Sequence, residues 1–271
     1  MTKFRWGTML LAIVVFSLLA IPAWAAPPVD PGLAQKVAAL EAKVAALEAK
    51  LQYMSVEYGK KDGLNGPHVI FANANVHVRS GLHATNDGGT LSGLGNLIVG
   101  YNENNENSSD YPRTGSHNLV VGQGHGFTSY GGFVAGEENK ISGKSASVSG
   151  GFHNTAGGEY SSVSGGRYNT ASQYLSSVSG GAGNTASGAM SSVSGGVSNT
   201  ASGDQSAVSG GEGGTAEGYR SAVSGGIFNT AHGFYSSVSG GINNTAAGPS
   251  SSVSGGSNLI ASGTSSYAPY P

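Results

Sequence analysis

The sequence predicts an all-β repeat protein, a parallel β-solenoid wound in coils of 14–15 residues, preceded by a short α-helical coiled coil. Three observations predict it. Val148, Val163, Val178, Val193, Val208, Val223, Val238 and Val253 lie 15 apart, each followed by Ser-Gly-Gly. An alanine follows each valine by eight positions: Ala156, Ala171, Ala186, Ala201, Ala216, Ala231, Ala246 and Ala261. Near the start, the heptad KVAALEA runs from Lys36 to Ala42 and repeats letter for letter from Lys43 to Ala49.

Composition agrees with a repeat built on small residues. The chain holds 46 glycines in 271 residues, no cysteine, and only 10% charged residues. Glycine does not recur every third residue, so collagen is excluded. The absence of cysteine excludes disulfide scaffolds and thiolate chemistry. A formal charge of −2 argues against nucleic acid as a partner.

Residues 1–25 read as a secretory signal peptide. Lys3 and Arg5 form the basic start, Gly7 to Ala20 the apolar stretch, and Ala23-Trp24-Ala25 the cleavage motif. The apolar run falls short of the ~20 residues that a spanning helix needs. Export to the cell surface or beyond is therefore expected, with the periplasm of a bacterium as the other compartment. No membrane span is expected after cleavage, which takes the formal charge to −4.

Residues 26–32 are a linker in which Asp30-Pro31 reads as an N-cap and first helical residue. A coiled-coil stalk is expected over 33–58. Its seam is Leu33, Val37, Leu40, Val44, Leu47, Leu51 and Met54, spaced alternately four and three. Lys36, Glu41, Lys43 and Glu48 fall at flanking positions that bridge parallel helices. Residues 59–95 are a connector in which Val69-Ile70-Phe71 and Val76-His77-Val78 read as a strand or hairpin.

The roll occupies 96–264, and 265–271 form a tail. A period of 14–15 is too short for helix-pair repeats, which need 33 or more residues. It suits two short strands and two turns per coil. Ser-Val-Ser is one strand with valine inward, and Thr-Ala-Ser the other with alanine inward. Gly-Gly and the following Asn, as in Asn154 and Asn169, are assigned to one corner as residues that tolerate positive φ. The row of Gly158, Gly188 and Gly203 marks the other corner. Upstream, Leu119–Gly122 and Phe133–Gly136 continue the pattern with a 14-residue step, and Ile98 opens it, giving about eleven coils. A polar insertion, 102–116, interrupts the first. A coil interior of one valine and one alanine is thin, so burial between chains is expected to add to it.

This unit, V-x-G-G-x-x-N-x-A-x-G-x-x-S, resembles the head repeat of trimeric autotransporter adhesins, the YadA-like left-handed β-roll, over about 95–263. The resemblance implies a homotrimer of rolls packed about a threefold axis and a role in adhesion or matrix contact. In that family the head precedes the stalk and a C-terminal barrel anchor. Here the coiled coil comes first and no amphipathic barrel strands follow residue 264, so anchoring through such a barrel is not expected.

No catalytic motif, cofactor motif or metal-ligand spacing is present, and a non-enzymatic role is expected. From Ser145 onward the only acids are Glu159, Asp204, Glu212 and Glu217. They are read as solvated surface, with a polysaccharide-cleaving or polysaccharide-binding solenoid as the alternative. His117 and His125 are the histidines that a threefold axis could gather about an ion; hydrogen bonding inside the fold is the plainer reading. Thr155, Thr170, Thr185, Thr200, Thr215, Thr230 and Thr245 form a candidate hydroxyl ladder, the basis of an ice-binding alternative. Glu217 and His232 interrupt the row beside it. Candidate binding corners carry Tyr160, Tyr168, Tyr174, Tyr219, Phe228 and Tyr235, suited to glycans, matrix or surface proteins.

Overall fold

The structure, a computed structural model, describes residues 31–103 and 111–269. The leader, the Asp30 cap and the centre of the insertion lie outside the described residues. The chain divides into two units, at Val76 and His77.

In the first unit a helix, α1, spans Pro31–Leu51. Proline is pre-organised for the first helical position, and Lys50 in the last turn complements the helix dipole. The seam side chains from Leu33 to Leu51 stand 44–60% exposed in the single chain. The helix expected to reach residue 58 ends at Leu51. Met54–Glu57 is a strand instead, antiparallel to His68–Phe71 with Val56 opposite Val69. Met-Ser-Val-Glu alternates apolar and polar, the period of a strand. Met54 thus leaves the seam. Lys60–Lys61 and Leu64–Asn65 form a small hairpin. Asp62 and Gly63, at φ 50° and 85°, make its two-residue turn. Val76–Val78, expected as strand, is irregular.

The second unit is a parallel β-solenoid. One sheet has twelve strands, from Leu97–Val99 to Tyr267–Ala268, and the other ten, from Gly126–Phe127 to Ile260–Ala261. About ten coils therefore carry both strands. Among the described residues Leu97–Val99 has no companion strand in the second sheet; a single parallel bridge from Arg113 to Phe127 takes its place. Tyr267–Ala268 pairs with Ser252–Val253, so the solenoid runs into the segment expected as tail. No helix among the described residues is long and apolar enough to cross a membrane.

Register follows the period. Val148 pairs with Val163 and that with Val178; Ala156 pairs with Ala171 and Thr155 with Thr170. From Lys140–Ile141 to Ser252–Val253 each strand is two residues long, with the first residue half-buried and the second buried, whereas Leu119–Gln123 and Phe133–Glu137 have five residues. The valines and alanines are 0–3% exposed and form one continuous core. A third ladder of single bridges joins Phe152, Arg167, Ala182, Val197, Glu212, Ile227, Ile242 and Ser257.

At the Asn corner the second glycine of each pair has the expected positive φ, as in Gly151, Gly166 and Gly196 at φ 81–88°, but the Asn does not: the other left-handed residue is the one before it, as in His153, Tyr168, Ser198 and Phe228, at φ 53–56°. At the other corner it is Tyr160, Leu175, Met190, Gln205, Arg220 and Tyr235, at φ 53–60°. The Gly158 row needs no positive φ. A Cβ on Gly188 would run into the carbonyl oxygen of Gly203 in the next coil, so that row is glycine because coils approach closely.

The asparagines themselves are buried, Asn139, Asn154, Asn169, Asn184 and Asn199 all at 0% exposure. Asn184 Nδ2 donates to Gly180 O at 2.8 Å and to Gly196 O at 2.9 Å. Its Oδ1 accepts the amide of Asn199 at 3.0 Å. The amides thus form a ladder that satisfies buried backbone groups of successive coils.

His125 holds the same rung one coil before Asn139. Its Nδ1 accepts the Asn139 amide at 3.2 Å, and Nε2 bonds to Val121 O at 3.0 Å. Both nitrogens are used inside the fold and the residue is 0% exposed, which removes it from any ion-binding ring. Burial lowers its pKa from the ordinary value of 6.5. The neutral ring is the folded form, so its contribution to stability is present above 6.5 and is lost as pH falls below that value. The urea midpoint is expected to fall between pH 7 and pH 5, and His125→Asn is expected to flatten that part of the profile. An unchanged slope in the variant would refute the assignment.

Candidate functional site

The candidate surfaces are two corners and two hydroxyl rows. Along the first corner, each left-handed residue donates its amide to the coil before. Tyr160 N bonds Lys144 O at 2.9 Å, Met190 N bonds Tyr174 O at 2.8 Å, and Tyr235 N bonds Tyr219 O at 2.9 Å. Bulky residues are disfavoured at positive φ, yet from Ser145 to Ser265 this position holds neither glycine nor asparagine. Its rings are consequently mounted on a hydrogen-bonded backbone.

Four of the six candidate aromatics come together here, as two pairs. Tyr160 and Tyr174 meet edge to face at 6.0 Å, and Tyr219 and Tyr235 at 5.6 Å. The Arg220 guanidinium lies 5.0 Å from the Tyr219 ring centre and 6.0 Å from that of Tyr235. Arg220 Nε donates to Gln205 Oε1 at 2.7 Å, and Gln205 Nε2 to the Tyr219 hydroxyl at 3.3 Å. Asp204 Oδ1 accepts the Ala189 amide at 2.9 Å. Beside Tyr160, Lys144 pairs with Glu159 at 2.8 Å. That hydrogen bond holds the Glu159 carboxyl below, and the Lys144 ammonium above, its usual pKa.

The second corner separates the other two. Tyr168 stacks on His153 at 5.2 Å and meets Phe152 edge to face at 5.7 Å. His153 in turn bonds the Tyr111 hydroxyl at 2.7 Å and Glu138 at 2.5 Å. Phe228 lies over Gly213, whose missing side chain leaves room for the ring. Tyr168 and Phe228 thus each lie against the coil before and are paired with no second tyrosine.

The threonine row is in register from Thr155 to Thr245, bounded by Lys140 and Ile260. The row beside it carries an exposed Glu217–His232 pair at 2.6 Å. Ser149, Ser164 and Ser179 line an exposed row by the first sheet. Glu212 belongs to the third ladder, away from Glu217.

One polar cluster escaped the sequence because its members are spread from residue 80 to 117. Asp87 is 6% exposed. It accepts hydrogen bonds from Ser80 Oγ at 2.5 Å, from Ser92 Oγ at 2.6 Å and from Ser92 N at 2.8 Å. Hydrogen bonds from Ser116, Ser80 and Ser92 hold its carboxyl well below the usual range. His117 Nδ1 lies 3.8 Å from Asp87 Oδ1, and Nε2 accepts the Ser80 amide at 3.2 Å. Serine, histidine and aspartate meet here, but the hydroxyls of Ser80 and Ser92 donate to the carboxylate, and Nε2 is taken. The cluster has no nucleophile–base hydrogen bond of the kind acyl transfer needs; what it does is tie residues 80–93 to the first full coil.

Among the described residues, no three histidine, aspartate or glutamate side chains gather as a metal site. Comparison of the chain with protein-family models and with curated proteins gives no match.

Proposed function

We propose that the chain is an exported, trimeric, fibrous protein with a structural and adhesive role, in which a coiled-coil stalk carries a left-handed β-roll head. The observation that carries this reading is the seam of α1, whose six apolar side chains stand 44–60% exposed in the single chain. A narrow heptad stripe of this kind is buried by neighbouring helices. The leader, the repeat and its resemblance to adhesin heads support the remainder.

A second feature favours assembly. The first glycine of each pair has no reason inside the chain. A Cβ on Gly150, Gly165, Gly180, Gly195, Gly210 or Gly225 would meet nothing within 4 Å, and none of the six has positive φ. All eight repeats nevertheless keep glycine there. Close packing of a second copy on that strip, beside the small Ser and Ala side chains of the first sheet, supplies the reason. The in-register threonine row favours ice binding as a second reading, and the Glu217–His232 pair beside it counts against a flat ice-matching face.

Light scattering on residues 27–271 is expected to give three times the chain mass, and Leu40→Asp with Leu47→Asp to lower it. A monomeric wild type would overturn the trimer.

A further inference from the structure

We infer that the corner running from Tyr160 to Tyr235 is a binding edge for a linear, neutral polysaccharide. This rests on the reading of the head as adhesive, and it names the ligand class and the corner.

The first argument is geometric. Coils stack at ~4.8 Å, so the edge is a straight track with one side-chain position per coil. The Tyr174 and Tyr219 positions are three coils apart, or roughly 14 Å. A polymer with a short regular repeat reaches both ring pairs at once. Within each pair the rings are nearly perpendicular, at 76° and 87°, so the two rings of a pair are not stacked face to face on each other. Tyr160, Tyr174, Phe234 and Tyr235 are 41–62% exposed. The apolar C–H faces of sugar rings stack on such surfaces.

The second argument is the polar set between the pairs. Asp204, Gln205 and Arg220 occupy two consecutive coils and supply a carboxylate, an amide and a guanidinium. Sugar hydroxyls both donate and accept, and planar groups of this kind meet them in pairs.

Charge then selects among polymers. The edge holds Lys144, Glu159, Asp204 and Arg220, two of each sign. Lys144 and Glu159 neutralise each other. Arg220 is bonded to Gln205 and Asp204 to a backbone amide. The four charges sum to zero, so the edge has no net charge to attract a charged chain, which fits a neutral glycan. The hydrogen-bonded, left-handed backbone fixes the ring positions before binding, which lowers the entropy lost on association.

The test is affinity electrophoresis of the whole mature protein in native gels containing hydroxyethyl cellulose, galactomannan, alginate or gelatin. Retardation by a neutral polymer is expected. Tyr219→Ala with Tyr235→Ala should weaken it about tenfold, and Tyr160→Ala with Tyr174→Ala should do so independently. Tyr168→Ala with Phe228→Ala, on the other corner, should leave it unchanged. Thermal midpoints of all variants separate lost binding from lost fold. Retardation by none of the polymers, by alginate alone or by gelatin alone overturns the proposal, as does equal weakening by the other-corner pair. A trimer without retardation leaves the adhesive assembly standing and removes this ligand. A monomer with retardation does the reverse.

Discussion

Gly195→Ala and Gly196→Ala, one residue apart, are expected to have opposite outcomes. Gly196 sits at φ 88°, and a Cβ there would collide with the carbonyl oxygen of Gly211 and crowd its amide nitrogen. An L-residue in the left-handed region costs ~1–2 kcal/mol, and overpacking against fixed backbone adds ~1–3 kcal/mol. A loss of about 3–5 kcal/mol is expected, read as a lower denaturant midpoint. The colliding atoms are backbone of a neighbouring coil and the Asn199 Nδ2, which is itself held by hydrogen bonds to Gly195 O and Gly211 O, so none can simply rotate away. Gly195 has an ordinary φ and open space. In the separated chain, alanine there should be neutral or stabilising by ~0.4–1 kcal/mol, by restricting the unfolded state. In the assembled protein the same methyl should shift light-scattering mass towards monomer. If Gly195→Ala and Gly196→Ala lower the midpoint equally, the assignment of the two glycines to different causes fails. If Gly195→Ala leaves the mass unchanged, the strip is not an assembly face.

These neighbours also show what could be read in advance. The strict period predicts register, because a fixed spacing brings Val148 under Val163 and Thr155 under Thr170 whatever the turns do. It says that Gly196 and Gly195 are both required, not why. Asn154 illustrates the same ambiguity. Asparagine suits a positive-φ turn and also a buried amide rung, and periodicity cannot separate them. The residue that carries the positive φ before it is His153, Tyr168, Ser198 or Phe228 in different coils, so it leaves no compositional trace. The end of the helix was legible and outweighed by the heptad. Leu51 and Met54 extend the seam, whereas Met54–Glu57 alternates with period two and Asp62-Gly63 is a hairpin signal. Of the candidate aromatics, the sequence placed them on corners; that Tyr219 and Tyr235 pair while Tyr168 packs on His153 depends on which coil-to-coil neighbours are rings.

Asn184→Leu is expected to lower stability by about 3 kcal/mol, although leucine is close in size and more apolar. The reason is the ladder. The substitution removes the Oδ1 that accepts the buried Asn199 amide and the Nδ2 that serves Gly180 and Gly196. Leaving a buried group unpaired costs ~1–3 kcal/mol, and the Asn199 side is fully enclosed. Hydrophobicity at this site cannot compensate, because the side chain already fills its space and the lost partners are backbone. Coils couple to their nearest neighbours, so the defect should spread to the flanking turns before the ends. Hydrogen exchange should therefore accelerate first at Asn184, Asn199 and Gly196. The ladder ends at Leu259, and inside it the chain carries a natural interruption at Gly214. Its amide still donates to Asn199 Oδ1 at 2.8 Å, but it offers no side-chain acceptor to Asn229. Gly214→Asn is the converse change, and its φ is not left-handed. It should raise the denaturant midpoint, while Asn184→Leu lowers it. A leucine variant within ~0.5 kcal/mol of wild type, the usual scatter of neutral surface changes, would mean that strand ladders and the Val–Ala core hold the coils without the asparagines.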